Sequence, residues 1–149
     1  MLKKAEEVIA RYPRKEAALL PVLHLVQRET GWISPAEERF VAGVLGIKPM
    51  KVREVATFYT MILQKPLGKY HLQICSNLSC TLLGAGSLTE YLKEKLGIGP
   101  GETTPDGKFT LTTVECLGAC EQAPCLMVNF DYHGNLDREK IDRILEGLT

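Results

Sequence analysis

Five cysteines carry the chemistry open to this sequence: Cys75, Cys80, Cys116, Cys120 and Cys125. Cys75 and Cys80 are separated by four residues, Cys116 and Cys120 by three, so each pair can close on one metal atom through a short loop. The odd count, with no apolar export-type stretch at the N-terminus, argues against a structural disulfide framework and turns attention to metal or redox chemistry. Zinc and iron-sulfur centres both accept four thiolates. Both spacers exceed the two residues common in zinc knuckles, and a binuclear 2Fe-2S centre needs one pair per iron, which this two-plus-two layout supplies. Residue types and spacing therefore lean toward iron-sulfur, with structural zinc and unligated redox thiols as open alternatives. A 2Fe-2S centre on four thiolates would carry roughly −2, becoming −3 on reduction. Glu115 and Glu121, read as more than solvated loop charge, would deepen that field and keep the potential low. Gly118 can supply the dihedrals and bare backbone N–H groups of a tight turn around inorganic sulfur.

The elements that must position these thiols read as follows. Tyr70, Leu72 and Ile74 alternate with His71 and Gln73, which predicts a strand ending at Cys75, with SNLS as a loop between the first two cysteines. Ser87-Leu88-Thr89-Glu90 reads as a capping box opening a helix through Tyr91, Leu92 and Leu96 to Gly97. After the turn signal Asp106-Gly107, KFTLTTVEC predicts a second strand that delivers Cys116. Residues 125–130 (CLMVNF) predict a third, His133-Gly134-Asn135 a turn, and Ile141, Ile144, Leu145 and Leu148 a terminal helix. Both cysteine pairs thus follow strands, as loops at one end of a small α/β layer.

The N-terminal part has a different period. Leu2, Ala5, Val8 and Ile9 mark one helix, and Ala18 to Val26 a second that stops at Gly31, with Pro21 either kinking it or marking its start. Ser34-Pro35-Ala36-Glu37 is a capping box for a third helix that Gly46 ends. Pro49 to about Leu63 predicts a fourth, carrying Val52, Val55, Ala56, Tyr59 and Ile62, with Met50 and Met61 assigned to core packing. Residues 1–66 hold 11 basic and 7 acidic groups, residues 67–149 hold 7 and 11, and Pro66-Leu67-Gly68 punctuates the change. The expected architecture is α+β: a small helical bundle over 1–66, then an α/β domain over 67–149.

Several function classes drop out. The 149 residues balance 18 Lys and Arg against 18 Asp and Glu, without a basic stripe, so nucleic acid is not an expected partner. No stretch approaches the ~18 apolar residues of a membrane span; a cytosolic or matrix-side soluble protein, without direct membrane insertion, is expected. Gly84-Ala85-Gly86 has Thr89 where a dinucleotide fingerprint needs its third glycine. There is no CxxC, no HExxH and no GK[ST]. His24, His71 and His133 are dispersed, with His24 read as a core or interface residue; Trp32 reads as a packing anchor, and Ser76 and Ser79 as loop hydroxyls rather than nucleophiles.

ECLGAC followed by EQAP at residues 115–124, with GETTPDGKFTL at 101–111 and the Cys75/Cys80 pair, resembles the thioredoxin-like 2Fe-2S subunit of the NADH-dehydrogenase module of respiratory complex I. VLHLVQRETGWIS at 22–34 and VREVATFYTM at 52–61 resemble that family's N-terminal helical domain, so the likeness spans nearly the whole chain. The resemblance implies that Cys75, Cys80, Cys116 and Cys120 ligate one 2Fe-2S cluster on a thioredoxin-like domain. It also implies an FMN- and NADH-binding flavoprotein subunit as partner, within a larger oxidoreductase complex peripheral to the inner membrane on its cytoplasmic or matrix side. The chain would be an electron-transfer subunit of an NADH:quinone oxidoreductase without a catalytic site of its own, or the equivalent subunit of an NAD-linked hydrogenase or formate dehydrogenase. A zinc-stabilised interaction module and a thiol enzyme using Cys125 are the rivals from other classes. Cys125 departs from the family pattern, where an apolar residue is expected; its plain reading is a small buried hydrophobe.

Overall fold

The computed structural model describes residues 1–148 and divides into two compact units, one from Met1 to Pro66 and one from Leu67 onward. The first is helical: α1 (Leu2–Ile9), a 3-10 turn (Lys15–Ala18), α2 (Leu19–Thr30), α3 (Pro35–Leu45) and α4 (Pro49–Phe58). Pro21 falls in the first turn of α2, where its missing N–H costs nothing, so it marks the start of the helix rather than a kink. Ser34 caps α3, its Oγ accepting from the Ala36 N–H at 3.0 Å while Glu37 reaches back to the Ser34 N–H at 3.1 Å. Gly46, at φ +70°, ends the helix in the left-handed region that glycine adopts without strain. Val22, Leu23, Val26, Ile33, Val41, Leu45 and Val52 form its core. The buried Glu38 carboxylate is matched by the Arg53 guanidinium at 3.0 Å.

Two expectations for this unit are corrected. The fourth helix ends at Phe58, because Tyr59 turns into an extended conformation (φ −89°, ψ 114°) and aims Ile62 back into the core without further helix. Met50 and Met61 are not core residues but are 67% and 55% exposed.

The second unit is a mixed four-stranded sheet in the order β2-β1-β3-β4, built from β1 (Tyr70–Cys75), β2 (Phe109–Val114), β3 (Leu126–Val128) and β4 (Asp131–His133). Three helices accompany it: α5 (Leu78–Leu82), α6 (Ala85–Leu96) and α7 (Arg138–Gly147). β1 runs parallel to β2 and antiparallel to β3, and β4 returns antiparallel to β3. Leu72, Ile74, Leu111, Leu126 and Ile141 are among its fully buried side chains, each contributing about 1.5–3 kcal/mol by leaving water. The architecture is α+β.

Sequence periodicity misses three local features here. SNLS is not a plain loop: Asn77 accepts from the Leu78 N–H at 2.9 Å and starts α5, on which Cys80 rides. The box expected at Ser87–Glu90 does not form, because Gly84 at φ +95° turns the chain and starts α6 at Ala85, leaving Ser87 inside the helix and Glu90 paired with Lys93. Chain reversal comes at Asn129 (φ +55°) and Phe130, so 131–133 is a fourth strand rather than the lead of a turn.

His71 adds a pH-dependent element. Its Nε2 lies 2.8 Å from Thr112 Oγ1 across the parallel pair, and burial lowers its pKa from 6.5 to about 4. Between those values the unfolded chain holds a proton that the folded chain rejects. The fold is therefore unpenalised above pH 6.5 and loses stability as pH falls toward 4, by about 1–2 kcal/mol after discounting for the partly exposed ring. Urea melts at pH 7 and pH 4.5 should show that loss, and His71→Gln should reduce the difference between the two pH values.

A cysteine-lined candidate metal centre

The register of β1 against β2 dictates where the cysteines go. The two strands are parallel with Cys75 opposite Val114, so the chain leaves both at the same edge of the sheet. One exit leads through Asn77 into α5 and Cys80; the other leads through Glu115 to Cys116 and Cys120. The Ser76 N–H and hydroxyl both donate to the Val114 carbonyl, at 2.9 and 3.0 Å, and pin the exits together. That bond gives Ser76 a structural part, in keeping with a loop hydroxyl rather than a nucleophile.

Cys75, Cys80 and Cys125 are buried, and their three sulfurs lie within 4.8 Å of one another. Ala85 and Ala123 complete this apolar pocket, with Leu117 and Ala119 packed against it from the second cysteine loop. Cys116 and Cys120 are exposed on that loop and outside the three-thiol group. The structure thus brings Cys75 and Cys80 together with Cys125 and sets the Cys116/Cys120 loop over them as a separate, solvent-facing pair. A binuclear cluster takes one thiol pair on each iron, so its four ligands need not converge on a point.

Backbone donors supply the electrostatics. Burial opposes ionisation of Cys75, yet N–H donors of Asn77 and Leu117, with the thiols of Cys80 and Cys125, outweigh it and hold its pKa below the ordinary cysteine value. Burial pushes the Cys80 thiol up, as does the adjacent Cys75. Cys125 is pushed up to about 12, first by burial and then by Cys80 and Cys75. On the outer loop Gly118, at φ +69°, donates its N–H to Cys116 Sγ at 3.2 Å. Glu115 and Glu121 are exposed, where water screens their charge.

The donor set is all sulfur, in two pairs, with N–H groups aimed at sulfur on both loops. That chemistry suits a thiolate-bound iron-sulfur cluster. The signal for Cys125 lay in the strand pattern: CLMVNF pairs antiparallel with YHLQIC, and the Cys75 N–H donates to the Cys125 carbonyl at 3.1 Å, which brings the fifth thiol beside the first two.

Comparison with known proteins points the same way. A family model described as "Thioredoxin-like [2Fe-2S] ferredoxin" matches residues 5–149. An NADH-quinone oxidoreductase subunit of Rhizobium meliloti is 49% identical over 146 residues, spanning 98% of this chain and 87% of its own. NADH-quinone oxidoreductase subunit 2 of Thermus thermophilus is 47% identical, spanning 96% of this chain and 81% of its own. Among solved structures, a chain of the NAD+-reducing [NiFe]-hydrogenase in the air-oxidized state shares the fold, with a TM-score of 0.77 at 23% identity over 88% of this chain and 22% of that one.

Proposed function

This chain belongs to the thioredoxin-like [2Fe-2S] ferredoxin family, and from that premise we propose that it is an electron-transfer subunit of an NADH:quinone oxidoreductase, holding one 2Fe-2S cluster on Cys75, Cys80, Cys116 and Cys120. The observation that carries the reading is the parallel register of Cys75 and Val114, which sends both cysteine pairs from one sheet edge. The names of the relatives favour a quinone oxidoreductase over an NAD-linked hydrogenase or formate dehydrogenase.

A 2Fe-2S cluster supplies one-electron chemistry, which suits a neighbour such as FMN that accepts a hydride from NADH as two electrons and gives them up singly. The protein's own part is to seat and tune the centre. The buried Cys75 and Cys80 would hold it from the core side, and the exposed Cys116 and Cys120 would close it from the solvent side. The Leu117 and Gly118 N–H groups, aimed at Cys75 and Cys116, would offset part of the negative charge of the thiolates of a bound cluster. The partner in this reading is an FMN- and NADH-binding flavoprotein subunit, in the membrane-peripheral part of the complex on its cytoplasmic or matrix side. No helix among the described residues is long and apolar enough to cross a membrane.

Protein purified without oxygen should be reddish, bleach with dithionite, and contain about two irons and two sulfides per chain. A colourless protein with one zinc per chain would overturn the proposal in favour of a structural module.

The apolar rim of the centre marks a docking face. Leu78 and Leu82 share one side of α5, the helix that carries Cys80, Leu83 follows it, and all three are exposed. Leu82→Asp is expected to weaken association with the flavoprotein subunit by about tenfold or more while leaving the visible spectrum of the isolated chain intact. Pull-down of the two purified subunits across a concentration series measures it.

A further inference from the structure

Cys125 takes no part in the proposed cluster, yet it is buried in the same pocket as two of the proposed ligands. Its sulfur lies 3.6 Å from Cys80 Sγ, and Cys75, Cys80 and Cys125 are 2%, 1% and 1% exposed. Three sulfurs bonded to one ion at ~2.3 Å in a trigonal plane stand about 4.0 Å from one another, which is the scale of this group, all within 4.8 Å. Ala85 and Ala123 belong to the same apolar cluster, with Leu117 and Ala119 packed against it, and among the described residues no His, Asp or Glu joins the three-sulfur group. A buried group whose only grouped donors are three sulfurs selects a soft ion content with three ligands, and Cu(I) meets that description better than zinc, which wants a fourth donor.

We propose that Cys75, Cys80 and Cys125 form a second metal site that binds one Cu(I) and is mutually exclusive with the iron-sulfur cluster. Cu(I) enters as Cu(I); the thiol protons pass to solvent as sulfur-copper bonds form, and no electron is exchanged. Because Cys75 and Cys80 are shared, copper in this site blocks cluster loading. Cu(I) binding rests on the thiol geometry alone, whereas the competition rests also on the cluster reading.

The test uses the full chain, reduced and free of metal under anaerobic conditions, titrated with Cu(I) against bathocuproine disulfonate. The wild type is expected to bind one Cu(I), with X-ray absorption reporting three sulfur neighbours. Cys125→Ala should bind it at least about tenfold more weakly, and the double variant Cys116→Ser/Cys120→Ser should bind it as the wild type does. Equal binding by Cys125→Ala, or loss of binding in the double variant, overturns the proposal. Far-UV circular dichroism establishes that each variant is folded, and Cys125→Val, which fills the space without sulfur, replaces the alanine variant should that one fail. Cluster reconstitution separates the two readings. Cys125→Ala should assemble the cluster and resist added Cu(I), whereas a wild type that binds Cu(I) but never assembles a cluster refutes the cluster and leaves the copper site standing.

Discussion

Cys116→Ser is expected to cut iron and acid-labile sulfide to about a tenth or less of the wild-type content per chain, with the visible absorption falling in proportion. The size follows from comparison with weaker perturbations: removing a hydrogen-bond partner of a metal ligand already costs about 10–100-fold in affinity, and removing the ligand itself cannot cost less. Serine offers a hard, protonated hydroxyl where a soft thiolate is required. Cys116, exposed like Cys120, is a cleaner choice than the buried Cys75 or Cys80 because its side chain is not part of the core, so the fold should persist. Cys80→Ser would bury a hydroxyl in an apolar pocket and mix a stability loss into the result. Iron and sulfide analysis with the electron paramagnetic resonance signal of the reduced protein is the measurement, and Cys125→Ala, which should keep its cluster, is the control. A normal cluster in the Cys116→Ser protein would remove Cys116 from the ligand set.

What the sequence made legible, and what it hid, divides along physical lines. Capping chemistry that acts within one turn read correctly where it stood alone, as at Ser34 and Gly46, whose bonds need only near neighbours. The same signature at Ser87 misled, because Gly84 and the α5 turn before it had already fixed where α6 starts. Strand alternation found β1 and β2, and with them the common exit of the two cysteine loops, since burial of one face imposes a period of two. β4 has only three residues, two of them exposed, and offered no such pattern. Met50 and Met61 looked like core by type, yet they stay exposed, a distinction that depends on which face of the bundle is covered rather than on hydrophobicity. The site follows the same rule. Spacing paired Cys75 with Cys80 and Cys116 with Cys120, but the approach of Cys125 depends on pairing of β1 with β3, a contact across some fifty residues that no local window contains.

Gly134→Ala is expected to destabilise the protein by about 2–3 kcal/mol and to loosen its hold on iron, although Gly134 is neither a ligand nor adjacent to one. A Cβ at this position would stand 2.3 Å from Gln122 Cβ and 2.7 Å from the Gln122 carbonyl oxygen, far inside van der Waals contact. The flexible end of Gln122 could turn away, but its carbonyl cannot: the Asn135 N–H donates to it at 2.6 Å, and the Leu136 N–H holds the Pro124 carbonyl at 3.1 Å. Relief must come from backbone movement in residues 121–124, which lie between Cys120 and Cys125. Overpacking of this kind typically costs about 1–3 kcal/mol, and a contact against fixed backbone belongs at the upper end. The lever therefore acts on Cys120 through the turn that follows it. Urea denaturation reads the stability loss, and the rate at which a chelator strips iron from the variant reads the loosened loop. An unchanged midpoint together with wild-type iron loss would mean that the 121–124 segment yields freely and does not position the outer thiol pair.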